Sequence, residues 1–335
     1  MEVYFVDIGR GTSCVILLGD NRAIVIDCGK QSGVLLQLLK RFQVQELERL
    51  CVSHNHDDHV GGAVAVLTEY EGMIDRVCFL EDGKLLQTLF WRKVKQQIEN
   101  GTLQTRQLVR LHCDDRPKML YEERSRKLTL KIFSPRFIDN LQAKDENDAN
   151  ATSAVLVLTC GNRRVVFAGD STIRQWKRIR EERSSPLACD ILSVAHHAGI
   201  VWDDPSELAW LYSEGVRPSN AVVSVATSNT DGHPRREVIT NLIAAGAKVM
   251  CTQITTRCCD SLEPLRPGVV PIILPGRSKP TRDLTGSGNS RDVACAGTVV
   301  AEIMNDRLLI RRISDHQAAV DRLTTHPGGH PLCRN

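Results

Sequence analysis

Apolar positions along this chain gather into short runs of strand length. VYFVDIG, SCVILLG, AIVIDCG, LERLCVSH, RVCFLED, LTLKIFSP, SAVLVLTCG and RRVVFAGD follow one another through the first half, rich in Val, Ile and Leu and often ending at Gly or Asp. Helical spacing separates some of them, clearest in GVLLQLLKRF (Gly33 to Phe42) and TLFWRKVKQQIEN (Thr88 to Asn100). Further on, DILSVAHHAG, NAVVSVAT and AKVMCTQ each follow a helical pattern, and the rhythm lasts to about Thr255. Strands joined by short turns and interrupted by helices predict an α/β domain of packed sheets with helices outside, spanning residues 1–255. Residues 256–335 read as a C-terminal extension. It is irregular and rich in Pro, Gly, Ser and Arg from Arg257 to about Asp292, apart from VVPIIL, and it closes on a hairpin, TVVAEIMNDRLLIRRI, that turns at Asn305-Asp306.

Composition changes this picture little. The chain has 335 residues, 42% of them hydrophobic, enough for a substantial core. It has no apolar stretch of about 20 residues and no signal-like N-terminus, so a cytoplasmic location without membrane contact is expected. A net charge of +3 does not by itself predict a nucleic-acid partner. The basic clusters Arg116 to Lys131 and Arg174 to Arg183 are mixed with acids and read as solvated faces. Of the 12 cysteines, Cys14, Cys51, Cys78 and Cys160 lie in strand-like runs and read as core.

The chemistry concentrates in SHNHDDHVGG. His54, Asn55, His56, Asp57, Asp58 and His59 follow directly on an apolar run. If that run ends a strand and a helix follows, His54 and His56 face one point and Asp58 and His59 a second, as in a two-metal hydrolytic site whose ions share an attacking hydroxide. Such a site needs ligands from elsewhere. RRVVFAGD puts Asp170 after another strand, where one carboxylate can bridge both ions, and DILSVAHHAG puts His196, with His197 beside it, after a third. His233, between Gly232 and Pro234, is a candidate to protonate a leaving oxygen or to complete a metal shell.

In order and context, Asp27 in IVIDCG, the HxHxDH cluster, Asp170 in FAGD and His196 in the HH pair resemble the motifs of the metallo-β-lactamase superfamily. VDIGRGTSCVILL, NATSAVLVL, VAHHAG and SNTDGHP further resemble the soluble hydrolase domain attached to the competence protein ComEC, over roughly Val3 to Thr252. The resemblance implies an αββα sandwich with two divalent ions, Zn or Mn, at the strand ends, and Asp27 and His197 as supporting residues. Superfamily members with a third first-site histidine carry it about twenty residues before the bridging aspartate, where this chain has Asn150. The ComEC-like branch carries Asn-x-x-Ser there, matched by Asn150 and Ser153. Thr12 stands where that branch has an acidic residue.

These readings together predict a phosphodiesterase or nuclease acting on a nucleic acid or nucleotide, with Asp58 and His233 catalytic. Arg174, Lys177, Arg235 and Arg236 are the cations expected near its mouth. The alternatives are a hydrolase of a lactam, lactone or thioester, and a non-catalytic binding module with a degenerate site. Cys258, Cys259, Cys295 and Cys333 in the extension are either ordinary thiols, disulfides or a structural zinc site; Cys251, His326 and His330 are further candidates for its fourth ligand.

Overall fold

The computed structural model describes residues 1–80, 88–140, 148–260, 292–304, 307–312 and 316–334. Two sheets face each other. With strands numbered along the chain, the first has the order β15 (Arg307–Arg312), β14 (Val299–Met304), β1 (Glu2–Phe5), β2 (Cys14–Gly19), β3 (Arg22–Ile26), β4 (Glu46–Val52), β5 (Ile74–Phe79), β6 (Leu108–Arg110), and the second the order β13 (Lys248–Cys251), β12 (Val216–Val223), β11 (Leu187–Ser193), β10 (Arg163–Phe167), β9 (Val155–Cys160), β8 (Leu128–Ser134), β7 (Lys118–Glu123). In the first sheet, β3 (Arg22–Ile26), β4 (Glu46–Val52), β5 (Ile74–Phe79) and β6 (Leu108–Arg110) are parallel. In the second, β10 (Arg163–Phe167), β11 (Leu187–Ser193), β12 (Val216–Val223) and β13 (Lys248–Cys251) are parallel.

Burial on both faces explains why the central strands read as continuous apolar runs. In β3, Ile24 and Ile26 belong to the core between the sheets, while Ala23 and Val25 pack under helices on the other side. Those helices are α1 (Gly33–Arg41), then, after the one-turn α2 (Asp57–Val60), α3 (Ala63–Glu69) and α4 (Leu89–Glu99). Helix α1 buries Leu35, Leu38 and Leu39, one stripe at helical spacing. Helix α4 starts where the Thr88 hydroxyl accepts from the Trp91 amide at 3.4 Å. On the second sheet's outer face, Trp176 and Ile179 of α5 (Ile173–Glu181), Leu208 of α6 (Glu207–Trp210), Leu242 of α7 (Arg236–Ala244) and Leu323 of α8 (His316–Thr325) form a separate core. The layering is αββα, as expected. Among the described residues no helix is long and apolar enough to cross a membrane.

The last hairpin joins the first sheet. Strand β14 (Val299–Met304) pairs antiparallel with β1 (Glu2–Phe5), from Glu2 opposite Glu302 to Phe5 opposite Val299, and β15 (Arg307–Arg312) lies outside it. Its turn at Asn305-Asp306 and most of the irregular stretch, VVPIIL included, lie outside the described residues. The tail cysteines lie outside the named strands, yet they belong to the interior. Cys258, Cys259, Cys295 and Cys333 are all buried, because α8 and Leu332 close over them as part of the outer core of the second sheet.

Candidate metal centre

The carboxyl ends of β3, β4, β10, β11 and β12 converge at one edge of the sandwich, and the chemistry-bearing residues sit on the turns that follow them. His54 and His59 are buried, and Asp170 is 2% exposed. Asp170 reaches His59 through one oxygen, at 3.0 Å from Nε2, and His54 through the other, at 3.4 Å from Nε2. That second oxygen lies 3.9 Å from Nε2 of His196. His54 Nε2, His59 Nε2 and Asp170 Oδ1 are buried without a hydrogen-bond partner, a costly arrangement for three polar atoms unless something else satisfies them. Two imidazole nitrogens and a carboxylate oxygen are a donor set for a divalent cation, and these residues fit one. A second group, Asp58, His59 and His197, also brings its donor atoms within 4.8 Å of one another, and the two groups share His59.

The rings are oriented from behind. His59 turns Nδ1 to Asp27 at 2.8 Å, leaving Nε2 to the site, and Asp27 is itself held by the Ser53 amide at 2.7 Å and hydroxyl at 2.8 Å. His54 Nδ1 lies 3.0 Å from the Ser53 hydroxyl and 3.2 Å from that of Ser153. Ser153 also accepts from the Asp170 amide at 2.8 Å, so one hydroxyl braces two of the three donors. Electrostatics agree with this arrangement. Burial alone would raise the Asp170 carboxyl, but the His59 and His54 rings hold it well below the usual range. Burial alone would lower His59, and the Asp170 and Asp27 carboxylates hold it well above its ordinary value. Replacement of Asp27 by Asn is expected to weaken metal binding about 10- to 100-fold with the fold intact, measured by metal titration of the purified variant.

The HH pair sits in an unusual turn. His196, His197 and Ala198 all have positive φ (52°, 54° and 59°), a conformation that costs about 1–2 kcal/mol per residue. Side-chain bonds help hold it. His196 Nδ1 faces the Ile200 carbonyl and His197 Nδ1 the Ser224 carbonyl, both at 2.9 Å, which leaves each Nε2 toward the site. His197, 8% exposed, lies 3.1 Å from Asp58 through Nε2. The sequence reading gives His196 the ligand's role and His197 a supporting one; in the structure His197 belongs to a three-donor group and His196 stands farther off.

The other expected residues distribute as follows. His56 lines the cleft above the site, with its ring 4.7 Å from that of His54, and belongs to neither three-donor group. Asn150 lies in a short helical turn (Asn150–Thr152) just before Ser153, with its side-chain oxygen buried and without a hydrogen-bond partner. His233 stands against the HH pair, its ring 5.2 Å from that of His196, with Nδ1 buried and likewise unsatisfied. Only a glycine at 199 permits this approach, because a Cβ there would sit 2.4 Å from the His233 ring. Burial, then His196 and His197, push the His233 imidazole down to about 4. Thr12 braces the site through its backbone, donating to the Asp58 carbonyl at 3.0 Å.

Above the donors opens a cleft of about 570 Å³, whose walls include Arg10, Lys30, Arg235 and Asp231. Of the four cations expected at the mouth, only Arg235 lines it. Lys177 instead pairs with Glu207, and Arg174 lies 3.8 Å from Asp203 on the outer helices. Sequence reasoning missed Arg10 and Lys30, although both lie in glycine-flanked turns after strands, GRG and CGK, which is the signal that was available.

Layering and donor set define a metallo-β-lactamase-fold protein. The chain belongs to the family described as anti-Pycsar protein Apyc1, whose model matches residues 10–192, just over half of the chain and inclusive of the histidine cluster and Asp170. No curated protein matches it by sequence. Similar solved structures include the metallo-β-lactamase fold protein YhfI from Bacillus subtilis, at 15% identity and TM-score 0.45 over 75% of this chain and 95% of that one. The short form of human tRNase Z has 14% identity and TM-score 0.41 over 77% and 93%. Zinc-bound PqqB from Methylobacterium extorquens has 12% identity and TM-score 0.43 over 74% and 97%.

Proposed function

We propose that the protein is a metal-dependent phosphodiesterase acting on a nucleotide-sized substrate, and that it shares the anti-Pycsar role named for its family. The observation that carries the hydrolytic reading is the buried, unsatisfied donor set of His54, His59 and Asp170, the last of which lines a cleft walled by Arg10, Lys30 and Arg235. Divalent ions bound there, Zn or Mn, supply Lewis acidity toward a phosphoryl oxygen and activation of water. The chain's own residues do the rest. Arg10, Lys30 and Arg235 attract and orient the phosphate. Asp58, 3.1 Å from His197, and His233 on the cleft wall are the groups that would take up the proton released in the attack and assist the leaving oxygen.

Two features favour a nucleotide over a long nucleic acid. A volume of about 570 Å³ is that of a small-molecule site. The basic residues of α5 form no track toward the cleft, since Lys177, Arg178 and Arg180 pair with Glu207, Asp139 and Glu214. The similarity of the loop motifs to the ComEC-like branch also points toward phosphate chemistry.

The test is a substrate panel with Mn and with Zn, comprising cyclic and linear nucleotides, DNA, RNA, a lactam, a lactone and a thioester. Nucleotide phosphodiester turnover is expected, with Lys30→Ala raising KM by about tenfold while kcat changes little, as loss of uniform binding does. Turnover confined to the lactam, lactone or thioester would replace this reading with the small-molecule one. Stoichiometric metal with no turnover on any substrate would leave a binding module.

A further inference from the structure

On the outer face of the second sheet, remote parts of the chain bring buried thiols together. Cys251 ends β13 and Cys258 lies in the turn beyond it. Cys295 is set beside β13 by backbone bonds, its amide donating to the Thr252 carbonyl and that of Ala296 to the Cys251 carbonyl, each at 2.9 Å. Residues near the C-terminus return to the same place, where the His330 amide donates to the Cys258 carbonyl at 2.8 Å. The four cysteines Cys251, Cys258, Cys295 and Cys333 are between 1% and 4% exposed. The sulfur of Cys333 lies 3.3 Å from that of Cys251, and Cys258 and Cys295 are buried in the same core. A buried histidine, His316 at the start of α8, places Nδ1 3.2 Å from the Cys295 sulfur. Cys259 is not part of this arrangement, for its sulfur faces His326 Nδ1 at 3.6 Å.

We propose that Cys251, Cys258, Cys295 and Cys333 form a structural zinc site separate from the catalytic cleft, with His316 supporting the Cys295 sulfur. Of the candidates the sequence offers, this set takes Cys251 and leaves out Cys259, whose sulfur faces His326. No three of these sulfurs lie within 4.8 Å of one another. A tetrahedron with Zn–S bonds of about 2.3 Å has sulfurs about 3.8 Å apart, so the 3.3 Å pair opens by roughly half an ångström and more distant sulfurs close in by about an ångström or more when the ion binds. A Cys251–Cys333 disulfide would use two of these thiols and leave the convergence of Cys258, Cys295 and His316 unexplained.

The experiment uses the full chain purified under reducing conditions. Zinc is counted in wild type, in a His59→Ala/Asp170→Ala variant, and in Cys251→Ser, Cys333→Ser and Cys259→Ser. The active-site variant is expected to retain one zinc, which a thiol-reactive mercurial releases and a chelating dye detects. Cobalt-substituted wild-type protein should show sulfur-to-cobalt charge-transfer absorption, which histidine and carboxylate ligands do not produce. Cys333→Ser should lose this zinc and Cys259→Ser keep it. If Cys333→Ser does not fold, the cobalt spectrum and the active-site variant decide the matter with all cysteines in place. The proposal is overturned by an active-site variant that binds no zinc, by a cobalt protein without the sulfur band, or by an intact mass showing the Cys251–Cys333 pair oxidised.

Discussion

Replacing Asp170 by Ala is expected to abolish hydrolysis, with turnover falling by roughly 10³-fold or more, and to release metal from the cleft while far-UV circular dichroism stays that of the wild type. Asp170 presents one oxygen to His59 and the other to His54 and His196, so no other side chain can replace it as the link between donors. The substitution leaves His54 and His59 buried and facing one another without a carboxylate. Their rings remain held from behind by Ser53, Ser153 and Asp27, which is why the fold is expected to survive. An Asp170→Ala protein that keeps its metal and turns over substrate within threefold of wild type would remove the metal-centre reading altogether. The effect should be far larger than that of Asp27→Asn, which loosens one ring and deletes no donor.

Gly169→Ala should be nearly as damaging, although it removes no donor. Gly169 has φ of +52°, and a Cβ there would come within 2.4 Å of the Ser153 hydroxyl and 3.3 Å of the Ser53 side chain. Ser153 is the residue that holds both the Asp170 amide and the His54 ring, so the added methyl group pushes on the brace itself. Displacement of a reacting group by about an ångström costs on the order of 100-fold in rate. We expect a loss of that order in kcat, together with weaker metal binding and a lowered melting temperature. Unchanged kinetics in Gly169→Ala would show that Ser153 does not position the donors.

The sequence made the strand ends and their donors legible because each motif is local. HNHDDH and FAGD lie directly after apolar runs, and the structure brings His54, His59 and Asp170 together. That His197 and not His196 falls in a three-donor group was not legible, since it depends on three successive left-handed residues whose conformation is held by the Ile200 and Ser224 carbonyls and by the Arg235 amide on the Ala198 carbonyl. Arg10 and Lys30 reach the cleft from separate turns, and spacing says nothing of which turns face each other. Cys258 and Cys259 are adjacent in an irregular turn, and both are buried once residues 328–333 return over it, which the sequence does not announce. The layered fold was accessible because burial on both faces leaves continuous aliphatic runs such as AIVI, whereas the pairing of β14 with β1 spans almost the whole chain and leaves no local trace.

That long-range pairing sets an order on biosynthesis. Strand β1 leaves the ribosome about 300 residues before its partner, and its outer edge is covered only when Val299–Met304 has been made. At about 5–20 residues per second, the exposed backbone of β1 waits on the order of 15–60 s for its neighbour. During that interval the nascent first sheet ends in VYF, an apolar edge able to pair with another chain. Any chain that stops before Val299 keeps that edge permanently, so such fragments should be recovered as aggregates even though they contain every donor of the metal centre.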